Sequence, residues 1–114
     1  MLAACCAEGE TIISNAACEP EIEDLQNFLI SQGADIVGAG TPIIRIRGVS
    51  GLCGSEHTII PDRIVAATFL CACASAGGEV LLRNVVPRHF STVSEILSEA
   101  GCEVRATQNS VYIS

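Results

Sequence analysis

The chain repeats itself. The run Met1-Leu-Ala-Ala-Cys-Cys-Ala-Glu-Gly-Glu-Thr-Ile-Ile-Ser-Asn15 lies over Leu70-Cys-Ala-Cys-Ala-Ser-Ala-Gly-Gly-Glu-Val-Leu-Leu-Arg-Asn84 at a spacing of about 69 residues. Ala3/Ala72, Ala7/Ala76, Gly9/Gly78, Glu10/Glu79 and Asn15/Asn84 are identical. After a one-residue slip, Leu25, Phe28, Leu29, Gly33 and Ile36 lie over Val93, Ile96, Leu97, Gly101 and Val104. Self-similarity at a fixed spacing marks one supersecondary unit used twice, so both halves must follow one plan.

The later copy is the fuller one. Residues 56–60 are expected to form a short strand, Pro61-Asp62 to open a helix running to Ala76, and Gly77-Gly78 to end it. Residues 79–86 read as a strand. Pro87 then starts a helix over 88–100 with Val93, Ile96, Leu97 and Ala100 on one face. Gly101 closes it, and 102–106 and 110–114 pair as a hairpin across Gln108-Asn109. The order is β-α-β-α-β-β. The earlier copy shows a strand over 11–17, a helix over 20–32 bearing Ile22, Leu25, Phe28 and Leu29, then strands near 34–37 and 43–47. Met1 falls opposite Leu70, mid-helix, so this copy lacks a counterpart of residues 56–69. The expected division is a truncated unit over 1–48 and a complete unit over 55–114, both within one domain of a longer protein.

The helices differ in kind. Those over 20–32 and 88–100 are amphipathic, whereas 64–76 is apolar almost all round and wants burial on every side. Several units packed with such helices inward and sheets outward would meet that demand.

Composition closes off other classes. A hydrophobic fraction of 49% in 114 residues argues for a folded core, and a net charge of −7 opposes any general hold on nucleic acid or an anionic membrane. Seven cysteines, an odd number set in Ala-rich stretches with no signal peptide ahead of them, read as buried, reduced thiols of a cytoplasmic protein. The apolar run over 64–76 is too short to span a bilayer. Cys71 and Cys73 point about 200° apart on a helix and cannot clamp one metal ion, and Cys5-Cys6 fails for a similar reason. With only His57 and His89 besides, no metal site is expected, nor a Ser–His–Asp arrangement, and no cofactor is implied. The glycines of 38–40 and 48–54 are loop punctuation.

The run Leu-Ala-Ala-Cys-Cys-Ala-Glu-Gly-Glu-Thr-Ile-Ile-Ser-Asn-Ala-Ala-Cys-Glu-Pro-Glu-Ile, then Gly-Ala-Asp-Ile-Val-Gly-Ala-Gly-Thr and Ile-Ile-Pro-Asp-Arg-Ile, closely resembles the middle of the bacterial UDP-N-acetylglucosamine 1-carboxyvinyltransferases, of the enolpyruvyl transferase family. The resemblance spans essentially the whole chain. It implies an α/β (α+β) fold of repeated βαβαββ units in an inside-out α/β barrel, with the active site in the cleft between two such domains. It also implies transfer of enolpyruvate from phosphoenolpyruvate to the 3-hydroxyl of UDP-N-acetylglucosamine, the first committed step of peptidoglycan biosynthesis, and so a part in cell wall biogenesis, cell shape and the cell cycle. This chain would supply roughly a quarter of such an enzyme.

Position by position, the family's Glu-Pro-Glu motif falls on Glu19-Pro20-Glu21 and its Pro-Asp-Arg motif on Pro61-Asp62-Arg63. Read alone, Glu19 and Glu21 are helix punctuation around a proline at N1, and Asp62 is a good N-cap. The resemblance implies that Glu19, Glu21, Asp62 and Arg63 face the substrate cleft, where a guanidinium at a helix start suits a carboxylate or phosphate. The family's catalytic lysine–asparagine pair, its mobile-loop cysteine, its nucleotide-binding loop and its later aspartate fall outside these residues, so no catalytic residue is expected here. Cys18 stands where the family usually has arginine, and Val65 where it has glutamate. The second change removes a capping box at the start of the 64–76 helix.

Two readings follow. One is a piece of the transferase, inactive alone because the reaction needs both cleft walls. The other is a stand-alone non-catalytic module for assembly or ligand binding. In either, residues 1–7 are expected to fray or dock on another chain, giving assembly through 1–7 and 64–76.

Overall fold

Alternating buried and exposed residues build one antiparallel sheet in each copy of the repeat. The computed structural model describes residues 1–114, and the chain divides into Met1–Ile60 and Pro61–Ser114.

In the first unit a 3-10 turn (Leu2–Ala4) precedes β1 (Glu10–Ser14), α1 (Pro20–Ser31), β2 (Asp35–Val37) and β3 (Ile43–Arg47). The sheet order is β1-β3-β2, with Ile13 opposite Ile44 and Ile36 opposite Ile46. On the central β3, Ile44 and Ile46 are buried while Ile43, Arg45 and Arg47 face out, the period-2 signature of a sheet covered on one face. Leu29 of α1 packs on that face together with Ile36 and Cys5.

The second unit holds α2 (Arg63–Ala76), β4 (Val80–Arg83), a 3-10 turn (Pro87–Phe90), α3 (Ser91–Glu99), β5 (Val104–Ala106) and β6 (Ser110–Ile113). Its sheet order, β4-β6-β5, repeats the first. Val111 and Ile113 on the central β6 take the places of Ile44 and Ile46, with Val80 and Val104 both opposite Ile113. Ala66, Leu70 and Cys73 of α2 and Phe90 complete this core. The hairpin turn is held by Thr107, whose N–H donates to the Ser110 carbonyl (2.9 Å) and whose hydroxyl lies 2.8 Å from that of Ser110.

The structure departs from the sequence expectations in defined places. Both strands expected over 11–17 and 79–86 end early, at Ser14 and Arg83, because the next residue, Asn15 or Asn84, takes a positive φ that a strand cannot continue through. Residues 56–60 form no strand; their polar groups bond to side chains of α1 instead. The helix expected over 88–100 is a 3-10 turn followed by a shorter α-helix, and Ile96 of its expected inner face is 58% exposed. Four of the seven cysteines, Cys6, Cys18, Cys53 and Cys71, are exposed rather than buried, and all seven are free thiols. Cys71 faces out where Cys73 faces in, as residues two apart on a helix must.

Residues 1–7 pack in part against their own unit. Cys5 is fully buried in the first core, Met1 and Ala4 pack beside it, and the Cys5 carbonyl accepts from the Val49 N–H at 2.8 Å. Gly48 makes this docking possible, since any Cβ there would collide with the carbonyl oxygen of Ala7. By contrast α2 covers only one face. Ile64, Val65 and Phe69 remain 59%, 50% and 55% exposed, an apolar side with no cover inside its own unit.

Candidate functional site

Two helix starts carry the candidate residues, and each is set by a proline. Pro20 occupies the first turn of α1, where its missing N–H costs nothing and its fixed φ favours the helix. Glu19 precedes it as N-cap in an extended conformation (φ −66°, ψ 152°), but its side chain makes no capping bond. Glu19 is thus an exposed carboxylate held at a helix start without being spent on it. Glu21 follows in the first turn and lines a cavity of about 460 Å³ whose walls include Leu25, Phe28 and Ile59.

At the other start, Pro61 leads into Asp62, whose Oδ1 accepts from the backbone N–H of Ile64 (2.8 Å) and of Val65 (3.0 Å). Asp62 is therefore occupied as an N-cap. Arg63, the first residue of α2, is half-buried and lines a separate cavity of about 190 Å³. Val65 sits at N3, where a carboxylate would complete the capping box, and holds an exposed isopropyl group instead. Glu19 and Glu21 thus belong to the Met1–Ile60 unit and Asp62 and Arg63 to the Pro61–Ser114 unit.

One constellation had no signal in the sequence. Residues 53–60 lie as a strap along α1, running from its C-terminal end back to its start. The Cys53 N–H donates to the Gln32 carbonyl (2.8 Å) and the Ser55 and Ser31 hydroxyls meet at 2.8 Å. Asp24 holds the far end: its Oδ1 lies 3.0 Å from His57 Nε2 and its Oδ2 accepts from the Ile60 N–H at 3.5 Å. The His57 ring stacks at a tilt on Phe28, centroids 5.4 Å apart. Both side chains of the His57–Asp24 pair are mostly buried, at 19% and 14% exposure. Asp24 and His57 stand 33 positions apart with no periodic pattern between them, so only the fold reveals the pair.

No three His, Cys, Asp or Glu residues come together as a metal site would require. No helix is long and apolar enough to cross a membrane.

The sequence matches the EPSP synthase (3-phosphoshikimate 1-carboxyvinyltransferase) family over residues 1–114. Proteins named UDP-N-acetylglucosamine 1-carboxyvinyltransferase 2 from Staphylococcus epidermidis and Staphylococcus aureus are each 50% identical to it over 113 residues. Those matches cover 99% of this chain and 27% of the relatives, so the chain spans about a quarter of their length. The crystal structure of the enolpyruvyl transferase NikO from Streptomyces tendae shares the fold, with a TM-score of 0.80 at 24% identity over 98% of this chain and 28% of that one.

Proposed function

The chain belongs to the EPSP synthase family of carboxyvinyl (enolpyruvyl) transferases, and on that premise we propose that it forms part of an enzyme that loads UDP-N-acetylglucosamine with the enolpyruvyl group of phosphoenolpyruvate. In that reaction the 3-hydroxyl oxygen of the sugar bonds to C2 of phosphoenolpyruvate, the C2–O bond to phosphate breaks, and inorganic phosphate and the hydroxyl proton leave. The observation that carries this reading is the 50% identity, over 99% of the chain, with relatives that bear that activity in their names.

The proposal extends to the helix starts. Glu19, Glu21, Asp62 and Arg63 face the cleft of the whole enzyme. Glu19 is available there because its carboxylate is not used as a cap, and Arg63 supplies positive charge to phosphate or carboxylate. The units over 1–48 and 55–114 are two repeats of one transferase domain. The parent works in the cytoplasm, in peptidoglycan biosynthesis. The chain alone is inactive, since one cleft wall cannot position two substrates. The uncovered side of α2, with Ile64, Val65 and Phe69 exposed, drives self-association of the isolated chain.

A segment exchange tests the reading. The 114 residues replace the matching part of the Staphylococcus epidermidis relative, and phosphate release from phosphoenolpyruvate and UDP-N-acetylglucosamine is followed. The exchanged enzyme should turn over, and the 114-residue chain alone should not. A folded exchange protein that stays inactive, even with Cys18→Arg and Val65→Glu added, overturns it.

A further inference from the structure

We propose that the cavity between α1 and the strap over 53–60 is a binding site for a small neutral aromatic molecule that carries one hydroxyl or N–H donor, of the phenol or indole kind. The cavity measures about 460 Å³, within the range of about 300–1,000 Å³ usual for small-molecule sites, and every residue that lines it belongs to the Met1–Ile60 unit. Leu25 and Phe28 of α1 and Ile59 of the strap give it apolar walls. Ile59 is exposed, so a ligand there covers apolar surface that the chain itself leaves in water. The tilted Phe28 and His57 rings, centroids 5.4 Å apart, offer a third ring an edge or a face.

Charge sets the kind of ligand. The titratable groups on the wall are Glu21, Asp24 and His57, and no lysine or arginine joins them, so nothing there draws in a phosphate or a carboxylate. Asp24 is engaged by His57 and the Ile60 N–H, and Glu21 too has a partner within the chain, so neither carboxylate is left to attract a cation. His57 supplies the polar handle. An ionised Asp24 only accepts, so the His57 Nε2 beside it carries the proton of the neutral ring and Nδ1 becomes an acceptor. Nδ1 bonds to no group of the chain and is not buried, which leaves it available to a ligand's O–H or N–H. None of this depends on the enolpyruvyl reading.

Titration of the isotope-labelled 114-residue chain with phenol, in mildly alkaline buffer, provides the test, with fluorobenzene as a probe of similar size that lacks a donor. The His57 ring, the Ser55 amide and the Ile59 methyls should shift together and saturate. Phenol should bind about fivefold tighter than fluorobenzene, the scale of one net hydrogen bond. His57→Phe, which keeps a ring and removes the acceptor, should abolish that preference while fluorobenzene still binds. Because that change also removes the bond to Asp24, Ile59→Ala serves as a second variant: Ile59 is exposed, so the unit keeps its core, and both probes should weaken about threefold. Ile96→Ala, exposed on α3 of the other unit, should change nothing. Benzoate should not bind, and phosphoenolpyruvate and UDP-N-acetylglucosamine should not displace phenol. Shifts that fail to saturate, equal affinity for phenol and fluorobenzene, binding of benzoate, or displacement of phenol by either substrate overturn the site.

Discussion

Asn15 and Asn84, 69 positions apart in the chain, adopt the same left-handed backbone, each with a φ of 56°. Each follows the last residue of the first strand of its sheet, β1 or β4. Asparagine tolerates this region because its short amide can bond locally, while alanine there is strained. Asn15→Ala and Asn84→Ala should each destabilise the chain by about 1 kcal/mol, and Asn→Gly at either site should be close to neutral. Urea unfolding of the four variants measures this. Alanine variants as stable as the parent would show that these turns are not constrained as described.

The strap over α1 depends on Asp24, which binds both His57 and the Ile60 N–H. Asp24→Ala should destabilise by about 1–3 kcal/mol, the cost of leaving half-buried polar groups unmatched. Hydrogen exchange at the Ile60 amide should quicken while β3 amides stay protected. His57→Ala should lose less on its own, and the double variant should reveal a coupling of about 1 kcal/mol. Unchanged exchange at Ile60 in Asp24→Ala would remove the strap from the account.

What was legible in the sequence was whatever depends on local chemistry or on the repeat. Pro20 and Asp62 mark helix starts through φ and capping, and the equivalence of Gly33 and Gly101, with φ of 100° and 103°, follows from a helix end shared by both copies. The 56–60 segment was misread because an extended stretch looks like a strand until its bonding partners are known, and those partners are α1 side chains far along the chain. The stopping points of β1 and β4 were missed for a smaller reason: a lone asparagine does not announce a positive φ. At the candidate site the motif positions were readable, but the company of Arg63 was not. Arg88 and His89 reach its cavity only through the 3-10 turn that Pro87 begins.

Val65 lies at N3 of α2, half exposed, behind an N-cap whose forward bonds are already made. Val65→Glu should add the return bond of a capping box to the Asp62 N–H and stabilise the chain by about 0.5–1 kcal/mol. An upward shift of the thermal midpoint is the expected result. A downward shift would mean that the Val65 side chain packs more usefully than its exposure implies.

Self-association should run through the open side of α2. Phe69, 55% exposed, is the position to change; Leu70 beside it is fully buried in the core, so a charge there would unfold the unit instead of reporting on assembly. Light scattering should give an assembly for the parent chain and a shift towards monomer for Phe69→Glu. A parent chain that is monomeric at high concentration would show that this face needs no partner.

The most direct measurement is steady-state phosphate release by the segment-exchanged enzyme carrying changes at the helix starts. With phosphoenolpyruvate and UDP-N-acetylglucosamine as substrates, Glu19→Gln and Arg63→Gln should each lower kcat/KM by tenfold or more, about 1.4 kcal/mol of transition-state stabilisation or greater. Arg105→Gln, exposed on β5, should leave kcat/KM unchanged. An active exchange protein indifferent to Glu19→Gln and Arg63→Gln would contradict the claim that these starts form the wall of the cleft.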